Sequence, residues 1–295
     1  MNGKGTQEAQ ERHHSGSFCA FCVLFLFLPA CEPLSNEPAD VQVMRESRPV
    51  GSAMDFVVDL KYDVGQLEIT KTSDENLFSF DLQYDKRRYD PKFSFSGGDH
   101  ASLRLEMNAQ GGSNPGRGRD NVLTLRLSDK MPLNLNVTTG VSDSNLEMTG
   151  LRLRRMHLRG GVGKTEVAFD KPSGQVLESF EAESGVGELV VHGLGNTQVS
   201  HIDLKGGVGR AELDFTGELG MARSDATIQV GVGEIRLVIP RQADVEIEGE
   251  GSFLSNVSAP SFDHQGHSYT HHGEGGAKIY IRVKSGIGGI NVELI

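Results

Sequence analysis

Residues 160–169 read GGVGKTEVAF, and the Gly-Val-Gly phrase inside this stretch recurs at a nearly constant spacing. Strict copies begin at Gly161, Gly185, Gly207 and Gly231, so successive copies are 24, 22 and 24 residues apart. Each copy opens a run of alternating apolar and polar residues, which is the pattern of a half-buried β-strand. A constant period of this length predicts stacked supersecondary units rather than one globule.

Weaker copies and the composition extend this prediction to most of the chain. Degenerate versions of the phrase stand at Gly286-Ile287-Gly288, Gly140-Val141-Ser142 and Asp63-Val64-Gly65. The 295 residues include 37 Gly, more than the usual share of about 7%, and no Trp. Outside the N-terminus no apolar pattern at helical spacing is long enough to indicate a substantial helix. The sequence therefore predicts an all-β fold, a single-domain β-solenoid with coils of about 22–24 residues.

Alignment of the copies on their first Gly predicts which side chains form the core. Apolar residues recur one, six and eight positions after that Gly, and we expect all three rows to share the buried face because side chains alternate along a strand. The row one position after the first Gly consists of Val162, Val186, Val208, Val232 and Ile287. The row six positions after it consists of Val167, Val191, Leu213, Leu237 and Val292. The second Gly of each copy is expected at a corner with positive φ or close backbone packing.

One variable position in the repeat carries alternating charges. Its residues in successive copies are Lys164, Glu188, Arg210 and Glu234, and they should pair up one face of the solenoid. Residues 159–165, RGGVGKT, are also similar to the phosphate loop of deviant Walker ATPases. However, Leu158 stands where the ordinary loop needs Gly, and residues 166–169 alternate as a strand. We therefore predict no nucleotide binding at Lys164.

The N-terminus differs from the rest of the chain. Residues 18–28, FCAFCVLFLFL, form an apolar run that is too short for a membrane span but typical of a secretory signal, so residues 1–30 are interpreted as a signal peptide. The next four residues, Leu28-Pro29-Ala30-Cys31, resemble the lipobox of bacterial lipoproteins. That resemblance implies lipidation of Cys31, and Glu32 after it would permit transfer to an outer membrane. The alternative is a secretory signal cut elsewhere, with Cys31 incidental.

The domain organisation follows from the cysteines and from the strength of the repeat. All three cysteines lie at or before position 31, so we expect no disulfide in the mature protein. Residues 31–52, rich in Pro, Ser and Glu, are interpreted as a flexible tether. Residues 53–137 contain alternating strands without the strict period, and we assign them to an irregular β region that caps the solenoid. Residues 138–295 form the Gly-Val-Gly solenoid itself.

Two polar clusters are candidate binding sites. The segment 263–274 gathers Asp263, His264, His267, His271, His272 and Glu274. Imidazole suits zinc or nickel, but the spacing matches no recognised motif, so we predict a hairpin loop and no metal site. The strand LRLRRMHLR carries Arg152, Arg154, Arg155, His157 and Arg159. It is interpreted either as a solvated face or as a docking edge in which Arg152, Arg154 and Arg159 bind an anionic partner.

The outward positions of the repeat do not predict catalysis. At one such site the copies place Glu166, Val190, Glu212 and Arg236, which is not a convergent set of acids and bases. We therefore expect no catalytic residue and no cofactor. The formal net charge of −11 argues against nucleic-acid binding, in which neutralised phosphates supply most of the affinity.

The repeat also carries a family resemblance. The segment 132–169, followed by further Gly-Val-Gly strands and the final SGIGGINVEL, resembles the toast-rack and LiaF-like C-terminal group of bacterial envelope domains, whose relatives include adhesin-like proteins. The resemblance implies a right-handed β-helix in the cell envelope, on an outer membrane or on the periplasmic side of a membrane. We expect a lipid-anchored, non-catalytic binding or scaffold module whose partner is an envelope polysaccharide, a lipid phosphate or an envelope protein. The alternatives are a carbohydrate-active β-helix enzyme and an accessory regulator of envelope-stress signalling.

Overall fold

The computed structural model describes residues 39–110, 121–220 and 223–295, and for residues 250–255 it describes the backbone alone. Residues 39–295 form one compact unit. The predicted signal peptide and Cys31 lie outside the described residues. The strands are β1 (Val41–Pro49), β2 (Asp55–Lys71), β3 (Asn76–Asp85), β4 (Tyr89–Ser96), β5 (His100–Ala109), β6 (Val122–Leu127), β7 (Leu133–Glu147), β8 (Leu153–Ala168), β9 (Ser179–His192), β10 (His201–Asp214), β11 (Arg223–Ile239), β12 (Asp244–Ser258), β13 (Asp263–Gln265), β14 (Ser268–His271) and β15 (Lys278–Leu294).

Eight long strands pair in parallel and build the body of the solenoid. Their spatial order is β2-β7-β8-β9-β10-β11-β15-β12. The register stacks equivalent positions of the sequence repeat, so that Val186 pairs with Val162 on one side and with Val208 on the other. The all-β fold and the β-solenoid predicted from the period are thus confirmed.

The second Gly of each copy has the backbone conformation that the sequence predicted. Its φ ranges from +131° at Gly163 to +145° at Gly233 among the strict copies. A Cβ on Gly209 would lie only 1.8 Å from the carbonyl oxygen of Gly187 in the preceding coil. Glycine is required here because this φ disfavours L side chains and because adjacent coils approach too closely for a Cβ.

The rows at six and eight positions form the core, whereas the row at one position does not. We call Leu146, Val167, Val191, Leu213, Leu237 and Val292 the inner row, and all six are buried. The row at eight positions is also buried, as at Phe169, Phe215 and Ile239. We call Val141, Val162, Val186, Val208, Val232 and Ile287 the corner row, and its members are 41–50% exposed. The prediction that the corner row faces inward is wrong. Leu204, four positions before Val208, and Leu213, five positions after it, are both buried, so simple alternation does not continue through the Gly-Val-Gly turn. The turn at the positive-φ glycine shifts the phase of the strand and leaves the valine outside.

The N-terminal end of the sheet forks into two layers that cap the first coil. The first half of β2 pairs with β5, and its second half pairs with β6. Aromatic side chains fill the space between the layers, and Phe78 lies 5.3 Å from Phe95 between ring centroids. This cap buries Val64, the equivalent of the corner row in β2, to 8% exposure.

The tether predicted over residues 31–52 extends too far. Residues Val41–Pro49 form β1, which pairs antiparallel with β3 along nearly its whole length. Arg45 on this strand donates to Asp81 of β3 at 2.7 Å. β1 therefore belongs to the cap.

The C-terminal end changes the order of the coils. β15, the last strand in sequence, lies between β11 and β12. The insertion between the copies at Gly231 and Gly286 thus supplies one more coil strand, β12, in which Leu254 has the register position of Ile287. β14 and β13 extend the sheet beyond the first half of β12.

Candidate functional site

The arginine-rich segment 151–159 lies on the outer surface near the start of the regular coils. Its apolar residues Leu151, Leu153, Met156 and Leu158 are all buried, and its basic side chains point away from the core. β8 pairs with β7 on one side and with β9 on the other. β8 therefore lies inside the sheet, with a paired strand on each side. The prediction that this strand is a docking edge is wrong. Its basic side chains still form a patch on the sheet face.

A β-bulge brings two of these arginines together. Leu133 pairs with Leu153 and Asn134 with Arg155, which leaves Arg154 as an extra residue in β8. As a result, Arg154 and Arg155 both donate through Nε to Oδ1 of Asn134, each at 3.3 Å. The spacing of the apolar residues contains the signal for this bulge, because Leu153 and Met156 are three positions apart instead of two.

The arginines of the segment differ in how their charges are compensated. Arg159 donates to Glu183 at 2.9 Å, and this ion pair lowers the pKa of the Glu183 carboxyl. Arg152 instead donates to the backbone carbonyl of Lys130 at 3.4 Å, and the two arginines at the bulge share a neutral amide. Within the described residues no carboxylate lies within 4.0 Å of Arg152, Arg154 or Arg155. We call these three residues the cationic patch. Sequence reasoning assigned Arg159 to this group and left Arg155 out of it.

The charge row predicted beside the corner row is present in the expected register. Lys164 pairs with Glu188, Glu188 with Arg210, and Arg210 with Glu234 in successive strands. The side chains also reach along their own strands, since Lys164 lies 2.9 Å from Glu166 and Arg210 donates to Glu212 at 2.7 Å. The ion pair with Lys164 lowers the pKa of the Glu166 carboxyl. These charges are therefore held in fixed places on the surface.

The histidine-rich segment forms the hairpin of β13 and β14. His264 stacks on Tyr269 with ring centroids 4.6 Å apart, and Nε2 of His271 lies 2.9 Å from the carbonyl oxygen of Arg241. His272 lies 3.7 Å from Asp244. In the described part of the chain, no three His, Cys, Asp or Glu side chains are grouped as they would be around a metal ion.

Two surface depressions among the described residues offer little acid-base chemistry. An open groove of about 710 Å³ crosses β10, β11, β15 and β12, and its lining contains one carboxylate, Glu234, with the amides of Asn256 and Asn291. A depression of about 210 Å³ beside Arg282 likewise contains one carboxylate, Glu248. Neither depression brings two carboxylates together, as glycoside hydrolysis would require. Among the described residues, no helix has the length and apolar character needed to cross a membrane.

Comparisons with known proteins give one family match. A family model described as the N-terminal domain of toast_rack, DUF2154, matches residues 36–192, just over half of the chain. No curated protein matches the chain.

Solved structures resemble it at low identity. A "putative cell adhesion protein" from Clostridium sporogenes is 18% identical with a TM-score of 0.47, covering 86% of this chain and 100% of its own. A "putative adhesin" from Bacteroides fragilis is 12% identical with a TM-score of 0.37, covering 85% and 97%. A "putative lipid binding protein" from Parabacteroides distasonis is 11% identical with a TM-score of 0.31, covering 86% and 98%.

Proposed function

Because the chain belongs to the toast_rack family, we propose that it is a non-catalytic binding module of the bacterial cell envelope that docks on an anionic surface through its cationic patch. The observation that supports this most directly is the uncompensated charge of Arg152, Arg154 and Arg155. Their guanidinium groups meet a carbonyl and an amide instead of a carboxylate, although the protein as a whole carries a net charge of −11. A localised basic region can recruit an anionic partner despite an unfavourable net charge.

The geometry of the patch suits carboxylate or phosphate oxygens. Guanidinium groups donate to such oxygens through planar, charge-assisted hydrogen bonds. The bulge places Arg154 and Arg155 on adjacent residues, so one anionic group can be approached by two donors. Such groups occur in acidic polysaccharides, in lipid phosphates and on acidic proteins, and the cell envelope contains all three.

The test is a triple charge reversal with a matched control. Arg152→Glu, Arg154→Glu and Arg155→Glu together should abolish retention on anionic vesicles or on an acidic polysaccharide resin, whichever retains the wild type. The control combines Lys61→Glu, Lys92→Glu and Arg104→Glu, three exposed residues in the N-terminal region, and changes the net charge by the same amount. Equal losses in both variants would show that only net charge matters. Unchanged binding in a folded patch variant would contradict the proposal.

The two retention assays distinguish the source of the anion. Binding to vesicles containing anionic lipid, but not to neutral vesicles or resin, would assign the patch to lipid phosphate. Binding to the resin alone would assign it to a carboxylated polysaccharide. Salt should weaken either interaction, because exposed charges are screened over about 8 Å at physiological ionic strength.

We further propose that Cys31 attaches this module to a membrane, as the Leu28-Pro29-Ala30-Cys31 motif suggests. Each buried methylene of an acyl chain contributes about 0.8 kcal/mol to membrane binding. In cells fed a labelled fatty-acid analogue, wild type should incorporate label and Cys31→Ser should not. Equal labelling of the two would refute the lipid anchor without affecting the proposal for the cationic patch.

A further inference from the structure

The corner row is an exposed apolar strip that the cationic patch does not include. Six consecutive strands of the sheet each present one valine or isoleucine at 41–50% exposure: Val141, Val162, Val186, Val208, Val232 and Ile287. Strands of one sheet lie about 4.8 Å apart, so the strip is about 24 Å long. In four of the six strands, β8 to β11, each valine lies between two glycines and stands above a backbone that has no Cβ on either side. Contiguous exposed apolar surface of this kind marks an interaction site more often than isolated side chains do.

The first coil shows that the same position can be covered. Val64 in β2 has the register position of Val141, yet it is only 8% exposed. Asn121, next to the start of β6, donates through its side-chain amide to the carbonyl oxygen of Val64 at 3.1 Å. Here the cap of the protein's own chain lies against this part of the surface. In the other six strands the described residues place nothing comparable on it.

The charges beside the corner row indicate what covers it. Along β8, β9, β10 and β11 the row reads Lys164, Glu188, Arg210 and Glu234. The charges alternate as positive, negative, positive and negative, so the same row read in the opposite direction presents the opposite charge at each place. If a second copy runs antiparallel along the strip, Lys164 lies opposite Glu234 of that copy and Glu188 lies opposite its Arg210. All four contacts then join opposite charges.

The corner row has the same centre of symmetry. The corner row occupies six strands, β7 to β11 and β15, whose midpoint lies between β9 and β10. A two-fold axis along the strand direction at that midpoint pairs Val186 with Val208 of the second copy, and Val162 with its Val232. Two positions further along the strands, the axis also places Glu166 opposite Arg236 of the second copy.

We propose that the corner row is a self-association surface on which a second copy of this chain docks antiparallel. The interface is isologous, since the same strip is used by both copies. Stable interfaces bury about 800 Å² per partner, and a strip one side chain wide supplies less, so association is expected in the micromolar range or weaker.

The test uses Lys164 and Glu234, which meet only if two copies meet. Within one chain they lie three strands apart, about 14 Å, which exceeds the screening length of about 8 Å. Sedimentation velocity on residues 39–295, the compact unit, should show dimers as the concentration rises from about 1 µM to about 1 mM. Lys164→Glu or Glu234→Lys alone should weaken dimerisation about tenfold, because each creates two like-charge contacts. The double variant should restore dimerisation to near the wild-type level.

Several results would overturn the proposal. One is a wild type that stays monomeric over the whole range. Another is a double variant whose loss of dimerisation affinity equals the sum of the two single losses, because additive effects are what independent sites show. Val186→Thr, which keeps the shape but adds a hydroxyl to the strip, provides a second arm and should also weaken dimerisation. A monomer that binds neutral vesicles through the same valines would assign the strip to a lipid surface instead.

Discussion

The corner row and the inner row contain the same kinds of residue on the same strands, yet their environments are opposite. Val186 is 49% exposed, whereas Val191, five residues later in β9, is fully buried. Both side chains stack on valine or leucine in the neighbouring coils. The comparison shows that a repeated apolar position in a solenoid establishes stacking but not burial. Burial depends on which face the position occupies, and the backbone turn at the positive-φ glycine decides that, because it interrupts the alternation along the strand.

Replacing a member of the inner row should have the largest effect. Leu213 is fully buried between Val191 and Leu237, so Leu213→Asp places an unpaired carboxylate in the core. We expect a loss of about 3–5 kcal/mol in the free energy of unfolding. Urea denaturation followed by circular dichroism measures it. If Leu213→Asp lowered the free energy of unfolding less than Val208→Asp does, the assignment of the inner row to the core and of the corner row to the surface would be wrong.

The glycine that separates the two rows should come next. Gly209 has a φ of +141°, and a Cβ there would lie 1.8 Å from the carbonyl oxygen of Gly187. Gly209→Ala should therefore cost about 2 kcal/mol or more. Gly289→Ala is the matched control, because a Cβ at Gly289 would meet no atom within 4 Å beyond its chain neighbours, and it should change stability by less than about 0.5 kcal/mol. Equal effects would show that the close approach of the coils is not limiting.

The sequence predicted the period, the strands and the register of the charges, because these depend on repetition alone. The register from Lys164 to Glu234 follows directly from alignment of the copies. The burial of the corner row was predicted wrongly, since the period of two was applied across an interval of five residues. Parity alone does not place Val208, because the buried Leu204 lies four positions before it and the buried Leu213 lies five positions after it. The turn at Gly209 decides its exposure.

The ends of the solenoid were harder to predict for another reason. The Pro-, Ser- and Glu-rich composition of residues 31–52 predicts a tether, whereas the place of β1 in the fold comes from pairing with β3, a contact distant in sequence. β12 lacks the Gly-Val-Gly phrase, so only its pairing with β15 identifies it as a coil strand. Of the cationic patch, Arg152 and Arg154 were predicted. The exchange of Arg159 for Arg155 depends on Glu183 and Asn134, which lie in neighbouring strands.

The first coil extends the comparison, because there the cap buries Val64, the residue equivalent to the corner row. Tyr62 is fully buried beside it, and its hydroxyl has no hydrogen-bond partner among the described residues. An unsatisfied buried hydroxyl costs about 1–3 kcal/mol. Tyr62→Phe should therefore keep or raise the free energy of unfolding, by about 1 kcal/mol. A clear loss would show that the hydroxyl is bonded in solution.

The same residue predicts a pH dependence. Burial raises the pKa of the Tyr62 phenol well above its ordinary value. The folded state therefore disfavours the phenolate. The contribution of the neutral phenol to the free energy of unfolding is fully present below the unfolded pKa of about 10 and is lost as the pH rises above it. Between pH 7 and about pH 11, the melting temperature of wild type should fall more than that of Tyr62→Phe. Parallel curves would mean that the phenol is solvated.

Val208→Asp should have the smallest effect on the fold, and it tests both sides of the comparison. Val208 is 50% exposed, so the new carboxylate remains in water, and the free energy of unfolding should fall by about 1 kcal/mol or less, mainly through lower β propensity. If the corner row binds a second copy, the same change places a charge opposite Val186 of that copy and should remove dimerisation. Folding and self-association should thus respond separately, with the first read from denaturation and the second from sedimentation. A variant that unfolds would return the corner row to the core, and a variant that folds and still dimerises would leave the exposed valines without a role in self-association.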